Sequence, residues 1–150
     1  MDLTPAQIRE RLGLVPLEPE GGFIAETHRD ERSCAIIYLM ADGEVSGLHR
    51  LECLEIWAWH AGSPARMLLV SPDGEVTEPV LGLDLVAGQR PQVIVEGGWW
   101  QACEPVGEWT LVSTFMAPPY SDGIVTFSGG GALAEAHAEH AARIRRLARG

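Results

Sequence analysis

Four side chains in the middle of this chain have the types and the spacing to form a small-molecule site. His49, Glu55, Trp57 and Trp59 lie on a strand-like stretch that turn-forming glycines bound at each end. Because side chains alternate between the two faces of a strand, Glu55, Trp57 and Trp59 point the same way. A carboxylate and an imidazole beside indole rings predict an apolar-walled pocket with a polar tip. Such pockets bind small molecules directly or through a metal ion.

The carboxylate of Glu55 needs a partner, since an unpaired buried charge is strongly unfavourable. His49 and Gln101 are the natural partners. Two interpretations stay open: a polar cluster at the floor of a ligand cavity, or a core network that only satisfies its own hydrogen bonds. If a divalent metal ion is bound, these three residues are its ligands, although an amide oxygen is a weak one. The sequence therefore establishes no cofactor.

Further candidate ligand-binding residues lie on neighbouring segments. Glu26 and His28 share a face of an early predicted strand, where they reach either the cavity mouth or the solvent. Tyr38 belongs to an apolar strand and offers its phenol to the pocket or faces the other sheet. Trp99 and Trp100 are adjacent, so only one of them can face inward, and we assign Trp99 to the cavity.

The elements that must position these residues are short strands between two terminal helices. Thr4, Pro5 and Gln7 predict a helix N-terminus with a capping box, and Gly13 predicts its end. Turn signals about every 8–12 residues, with no helical pattern between them, favour an all-β sandwich or barrel. Apolar residues at helical spacing predict one C-terminal helix over residues 132–149. The predicted strands are Phe23–Arg29, Ser33–Met40, Leu54–His60, Ala65–Val70, Glu75–Leu81, Gln92–Val95, Trp99–Cys103 and Trp109–Met116.

Composition limits the classes of function. The 150 residues carry 11 Lys and Arg against 21 Asp and Glu, a net charge of −10, which argues against a nucleic-acid partner. No apolar run approaches the roughly 20 residues of a membrane span, and the polar N-terminus does not read as a signal peptide. Three cysteines without a close pair predict no disulfide framework. We therefore expect a cytoplasmic protein without a membrane partner.

Two segments resemble the signature motifs of the cupin superfamily. In the first, Gly43, His49, Glu55 and Gly62 match the motif at every interval, and Leu51 stands where the superfamily has a second His. In the second, Gln101 stands at the position of the His. Metal-binding cupins commonly offer three His and one Glu. The chain therefore departs from that ligand set at two positions.

Several further blocks occur in the order found in the cupin-5-type family, long listed as a domain of unknown function. They are Pro19–Phe23, Glu26–Arg29, His49–Leu51, Glu55–Trp57, Gly88–Gln92 and Gly98–Gln101. The resemblance implies a single cupin domain over residues 1–150 with an all-β fold, a double-stranded β-helix or jelly-roll barrel over 16–128. Residues 1–15 would form an N-terminal helix and lead-in, and 132–149 a C-terminal helix. It also implies a homodimer through paired sheet edges.

The function that this resemblance implies is the binding of a small polar ligand in the barrel. Similarity to sugar-nucleotide epimerases suggests an isomerase, with His49 or His28 as base, Glu55 tuning it, and a Tyr or Gln101 as proton donor. Two alternatives stay open. One is a metal-dependent oxygenase or lyase, and the other is a non-catalytic metabolite-binding module.

Overall fold

The chain folds into two facing antiparallel sheets, with α-helices at its two termini. The computed structural model describes residues 2–149. One sheet has the strand order β1-β2-β3-β11-β5-β9, and the other has β12-β4-β10-β6-β7 with β8 beside β6. The strands are β1 (Val15–Pro16), β2 (Phe23–Arg29), β3 (Cys34–Ala41), β4 (Ser46–Leu51), β5 (Glu55–Gly62), β6 (Ala65–Val70), β7 (Val76–Thr77), β8 (Val80–Leu81), β9 (Gln92–Val95), β10 (Trp100–Pro105), β11 (Trp109–Met116) and β12 (Val125–Phe127). This architecture confirms the predicted all-β jelly roll.

Alternation along the strands separates the interior of the roll from its outer faces. On β3, Tyr38 and Met40 belong to the cluster between the sheets, whereas Leu39 and Ala41 belong to a cluster on the opposite face. That outer face is covered by the helix α1 (Pro5–Leu12), which buries Ile8 there. Strands β2, β3, β5 and β11 contribute apolar side chains to this outer cluster, among them Phe23, Leu39, Ala61 and Leu111.

The ends of α1 follow the sequence prediction. The Thr4 hydroxyl accepts from the Gln7 backbone N–H, and the Gln7 side chain accepts from the Thr4 N–H, so the capping box is complete. Gly13 ends the helix at φ +64°, a left-handed conformation that glycine adopts without a steric penalty.

The C-terminal segment differs from the single helix that its periodicity predicts. It forms α2 (Gly131–Ala136), a 3₁₀ turn (Ala138–His140) and α3 (Ala141–Leu147), with a break at His137. The break lets both helices pack on the curved outer face of the second sheet. Their shared cluster contains Leu48, Leu68, Ala102, Ala134, Ile144 and Leu147.

Arg143 and Arg146 of α3 both hydrogen-bond to the Glu104 carboxylate on β10. Partial burial opposes ionisation of this carboxyl, but the two guanidinium groups outweigh it and lower the pKa of Glu104 to about 2. The charged contact therefore holds α3 against the sheet above its apolar cluster.

Most predicted strands are present with ends shifted by a residue or two, and the predicted strand over 75–81 divides into β7 and β8. The short β1 and β12 are absent from the predicted set, as is β4. Both faces of β4 are buried, so it lacks the alternation that indicates a strand. All three cysteines are free thiols. Among the described residues, no helix is long and apolar enough to cross a membrane.

Candidate functional site

A cavity of about 430 Å³ lies inside the roll, within the size range of small-molecule pockets. Its wall combines apolar side chains with a set of carboxyl groups, one imidazole and one guanidinium. The lining includes Glu20, Glu26, Arg29, Tyr38, His49, Glu55, Thr114, Met116, Tyr120, Asp122 and Phe127.

The two sheets meet across the interior through Glu55 and Gln101. Glu55 begins β5 in the first sheet, while Gln101 on β10 pairs with His49 on β4 in the second. The Gln101 amide donates to Glu55 Oε2 at 2.9 Å, and the Trp57 indole donates to Glu55 Oε2 at 3.1 Å and to Gln101 Oε1 at 3.0 Å. Both donors bind the same Glu55 oxygen, Oε2. The carboxylate is therefore fixed in orientation before any ligand arrives.

Burial shapes the acidity of Glu55. Its side chain is 7% exposed, and the loss of solvation raises the pKa of the Glu55 carboxyl. The positive charge that His49 can carry lowers this pKa, and the charge of Glu20 raises it further. Glu55 therefore keeps its proton to a higher pH than an exposed glutamate, which is the condition for a carboxyl group that donates a hydrogen bond.

His49 is held in one tautomer by the backbone. Its Nδ1 lies 2.7 Å from the Gly47 carbonyl oxygen, so Nδ1 carries the proton and donates it. Nε2 then has the free lone pair, and no group within residues 2–149 hydrogen-bonds to it. The ring is 2% exposed and packs against Phe127 at a centroid distance of 6.1 Å. This imidazole is a buried base with its acceptor atom left for a ligand.

Glu20 adds a second carboxylate beside the imidazole. Its Oε1 accepts from the Ser46 hydroxyl at 2.6 Å and from the Tyr38 phenol at 3.2 Å, and it lies 3.9 Å from His49 Nδ1. The Gly47 N–H donates to the Glu20 carbonyl at 2.8 Å. A Cβ at position 47 would come within 2.8 Å of that carbonyl oxygen, so only glycine allows this close approach.

The mouth of the cavity is closed on one side by Arg29. Its Nη1 donates to the Tyr120 carbonyl at 2.8 Å, and its Nε donates to Glu26 at 2.9 Å. The Tyr120 N–H contacts the Cys34 thiol at 3.2 Å, and the Tyr120 phenol donates to Asp122 at 3.4 Å. The arginine thus links β2 to the segment after β11, and its charge is already compensated.

The donor set does not fit the metal site of metal-binding cupins. Leu51 supplies no ligand, and the oxygen of Gln101 accepts the Trp57 N–H instead of facing an ion. His49 and Glu55 remain as strong ligands. Across residues 2–149, no group of three or more His, Cys, Asp or Glu side chains is placed to hold a metal ion.

The structure differs from the predicted tryptophan wall. None of the tryptophans within residues 2–149 lines the cavity. Trp57 is buried behind Glu55, Trp59 donates to the Ser63 carbonyl, and both Trp59 and Trp99 pack against the apolar cluster. The aromatic rings on the wall are instead Tyr38, Tyr120 and Phe127.

His28 also lies outside the cavity, for a reason that simple alternation misses. A β-bulge between Glu26 and His28 shifts the register of β2 against β3, so Glu26 pairs with the inward Ile36 but His28 pairs with Ala35. His28 is exposed beside Ser33 and Asp30. Glu26 and Tyr38 do line the cavity, and Gln101 lies behind Glu55 as its support.

Seven lining residues that carry charged, hydroxyl or aromatic groups are absent from the predicted site: Glu18, Glu20, Arg29, Thr114, Tyr120, Asp122 and Phe127. Thr114 lies on β11 opposite Trp57, so the inward alternation of that strand indicates it. Glu20 comes from a loop between β1 and β2, and no local pattern shows that this loop folds back over His49.

Comparison with known proteins gives a consistent result. The family model Cupin_5, described as "Cupin superfamily (DUF985)", matches residues 6–127. A solved structure of a protein from Shewanella oneidensis is 31% identical, with a TM-score of 0.90, and the match covers 98% of this chain and 98% of that one. A hypothetical protein from Leishmania major is 24% identical with a TM-score of 0.86, covering 99% of this chain and 100% of that one.

A more distant similarity concerns the fold alone. Oxalate decarboxylase from Bacillus subtilis is 15% identical with a TM-score of 0.60, and the match covers 91% of this chain but 35% of that one. No curated protein matches the chain.

Proposed function

We propose that this chain, which belongs to the Cupin_5 family of the cupin superfamily, binds a compact polar small molecule in its cavity and isomerises it by proton transfer. The proposal rests on two preorganised groups, one from each sheet, that line the same cavity. His49 has Nδ1 tied to a backbone carbonyl, and Glu55 is held by Gln101 and Trp57. These hydrogen bonds to the protein fix the orientation of each group, and each group lines the cavity.

These two groups suit the removal of a proton from a carbon next to a carbonyl. Nε2 of His49 accepts the proton, and the carboxylic acid of Glu55 donates its own proton to the carbonyl oxygen, which gives a neutral enol. With a hydroxy-carbonyl substrate this enol is an enediol: His49 returns the proton to the former carbonyl carbon, and the other hydroxyl gives its proton to Glu55, which yields the isomer and regenerates both groups. The raised pKa of Glu55 favours this role because it preserves the donor form.

The wall does not favour the nucleotide diphosphate of a sugar-nucleotide substrate. The only arginine among the lining residues, Arg29, already binds Glu26 and the Tyr120 carbonyl, whereas five lining side chains carry carboxyl groups. A diphosphate would enter a negative field. We therefore expect a substrate without phosphate groups, such as a free sugar or a hydroxy-carbonyl compound.

The experiment is a thermal-shift screen of unphosphorylated sugars, keto acids, amino compounds and nucleotide sugars, with retesting of each hit on variants. His49→Gln and Glu55→Gln should weaken binding at least tenfold. The matched controls His60→Gln and Glu52→Gln remove exposed groups of the same types outside the cavity and should leave binding unchanged. Hits that bind all of these variants equally contradict the site.

Turnover is tested separately by proton exchange. The hit is incubated with the protein in D₂O, and NMR follows deuterium entering at the carbon next to the carbonyl. We expect exchange with the wild-type protein and at least a hundredfold slower exchange with His49→Gln. Tight binding without any exchange would replace the isomerase with a non-catalytic binding module.

We also propose that the protein is a homodimer. Strand β9 pairs only with β5 in its sheet, and Ile94 and Phe115 lie on the outer face of that sheet with 52% and 42% of their surface exposed. A second copy would cover this edge and its apolar neighbours. Light scattering should give about twice the 16.3 kDa of one chain, and a monomer mass would contradict the proposal.

A further inference from the structure

The cavity floor contains more negative charge than the protein itself balances. Glu20, Glu55 and His49 line the same cavity, and Glu20 Oε1 lies 3.9 Å from His49 Nδ1. The side chain of Glu20 is 15% exposed and Glu55 is more deeply buried. Buried carboxylates are normally paired with a cation, because desolvation of an uncompensated charge is expensive.

The protein supplies one partial countercharge at this floor, the imidazole of His49. Its Nδ1 proton already goes to the Gly47 carbonyl, and Nε2 has no partner within residues 2–149. Arg29 lies at the mouth, where Glu26 and Tyr120 occupy its guanidinium. Glu20 and Glu55 thus have one imidazole between them as a possible cationic partner, because Arg29 is already paired.

The charge pattern continues along the wall. Glu18, Glu26 and Asp122 add three further carboxyl groups to the lining, and of these Glu26 is paired with Arg29, so the lining as a whole is negatively charged. Aromatic faces accompany it, since Tyr38 and Phe127 line the same space beside His49. An aromatic face stabilises an organic cation that loses part of its hydration.

We infer that the ligand of this cavity is a small organic cation, a hydroxylated primary amine of the amino-sugar class, whose ammonium group binds the Glu20 carboxylate while Glu55 keeps its proton. The ammonium group supplies the missing countercharge, and the remaining hydroxyl or carbonyl groups face His49. This inference rests on the proposed function, because it uses the same cavity and names the class of its ligand.

Glu20 is suited to the recognition of charge rather than to proton transfer. Its Oε1 is occupied by Ser46 and Tyr38, while no donor within residues 2–149 binds its Oε2. The change Glu20→Gln keeps an oxygen for Ser46 and Tyr38 and replaces only the charged end. It is therefore a clean probe of the countercharge.

The test is calorimetric titration of the full chain with sets of ligands that share a scaffold and differ in charge. Glucosamine, glucose and glucuronate form one such set, and equivalent sets can be built on acyclic polyols. We expect the amine member to bind at least tenfold more tightly than the alcohol, and the carboxylate member not to bind. Raising the salt concentration should weaken only the amine.

The variant Glu20→Gln should reduce the preference for amine over alcohol at least tenfold. Glu31→Gln removes one exposed carboxylate elsewhere and should leave that preference unchanged. The comparison within the wild-type protein stands even if Glu20→Gln fails to fold. An amine that binds no more tightly than its alcohol, or a panel in which no amine binds, overturns the inference.

Two further outcomes separate this inference from the proposed function. If a neutral or anionic member binds more tightly than the amine and His49→Gln abolishes its binding, the inference fails while the ligand site stands. If Mn²⁺ or Zn²⁺ alone binds more tightly than any amine and needs Glu20 and Glu55, the countercharge is a metal ion and the inference is wrong. Amine binding that is unchanged in His49→Gln, Glu55→Gln and Glu20→Gln contradicts both proposals.

Discussion

The interior of the roll has two halves that are built in opposite ways. One half is packed with hydrocarbon, and the other half is hollow and lined by ionisable groups. The packed cluster contains Tyr38, Met40, Trp57, Ala65, Met67, Leu69, Leu81, Val93, Val95, Cys103 and Val112. The packed half leaves no room for a ligand and stabilises the fold. The hollow half makes fewer packing contacts, which leaves room for a ligand.

Trp57 and Tyr38 lie at the boundary between the halves, with ring centroids 5.9 Å apart. The rings belong to the packed cluster, yet the Trp57 N–H donates to Glu55 and the Tyr38 phenol donates to the Glu20 side chain. The packed side therefore supplies a donor to Glu55 and a donor to Glu20. Rigid packing on one side thereby preorganises the polar groups on the other.

The largest effect should come from shortening equivalent side chains in the two halves. Met67→Ala removes a fully buried side chain from the packed cluster and should lower the free energy of unfolding by about 2–5 kcal/mol. Met116→Ala, on the cavity wall, should lower it by only about 1–2 kcal/mol, because one side of Met116 already lacks packing partners. Urea denaturation measures both. Equal losses would mean that the two halves are packed alike.

A somewhat smaller effect is expected from Trp57→Phe, which keeps a ring but removes the indole N–H. Gln101 Oε1 would lose its donor and Glu55 one of two, for a loss of about 1–3 kcal/mol in stability. Binding of a cavity ligand should also weaken, although Trp57 does not line the cavity. The matched control Trp59→Phe removes an indole N–H that binds the Ser63 carbonyl and should leave ligand binding unchanged.

The next largest loss of stability should come from breaking the charged contact that holds α3 against the outer face of the second sheet. A carboxyl whose pKa is lowered in the folded state stabilises the fold above its unfolded pKa, and this contribution is lost as the pH falls. For Glu104, with a pKa of about 2 against an ordinary 4.5, the loss should occur between these values. Glu104→Gln should cost about 1–2 kcal/mol at pH 7 after solvent screening. An unchanged pH profile of unfolding in this variant would contradict the contact.

The smallest change in stability is expected from Glu55→Gln, and this change should be a gain in stability where the other variants lose it. Because burial raises the pKa of Glu55, the folded state holds its proton more tightly than the unfolded state does. Stability is then lost as the pH rises from the ordinary value through the folded pKa. The variant should match the wild-type protein in acid and exceed it at higher pH. A variant that is less stable than wild type at pH 8 would show that Glu55 is ionised and well compensated.

Patterns that span a few residues predicted the elements whose ends depend on contacts between neighbouring residues. The capping box of Thr4 and Gln7 and the end at Gly13 define α1 within a few residues of sequence. The spacing of His49 and Glu55 reflects strand and turn lengths, which are also local. Long-range packing determines the break at His137, since both helices must follow a curved sheet that the periodicity does not reveal.

The candidate site was less accessible to sequence reasoning, because its residues come from distant segments. One inserted residue in β2 turns His28 outward, and strand alternation gives no sign of the bulge. Gln101 resembles a ligand in sequence, but the indole of Trp57 occupies its oxygen. Glu20 lies near His49 because the loop between β1 and β2 closes over Gly47. The spacing of residues along the chain does not indicate this contact between the loop and β4.

The most direct test is a crystal structure of the protein as purified, at a resolution that shows ordered water. We expect a ligand or water oxygen about 2.7–3.2 Å from His49 Nε2, with Glu55 bordering the same open volume. This expectation is contradicted if Nε2 and the Glu55 carboxyl bind only protein groups while apolar side chains fill the space between them.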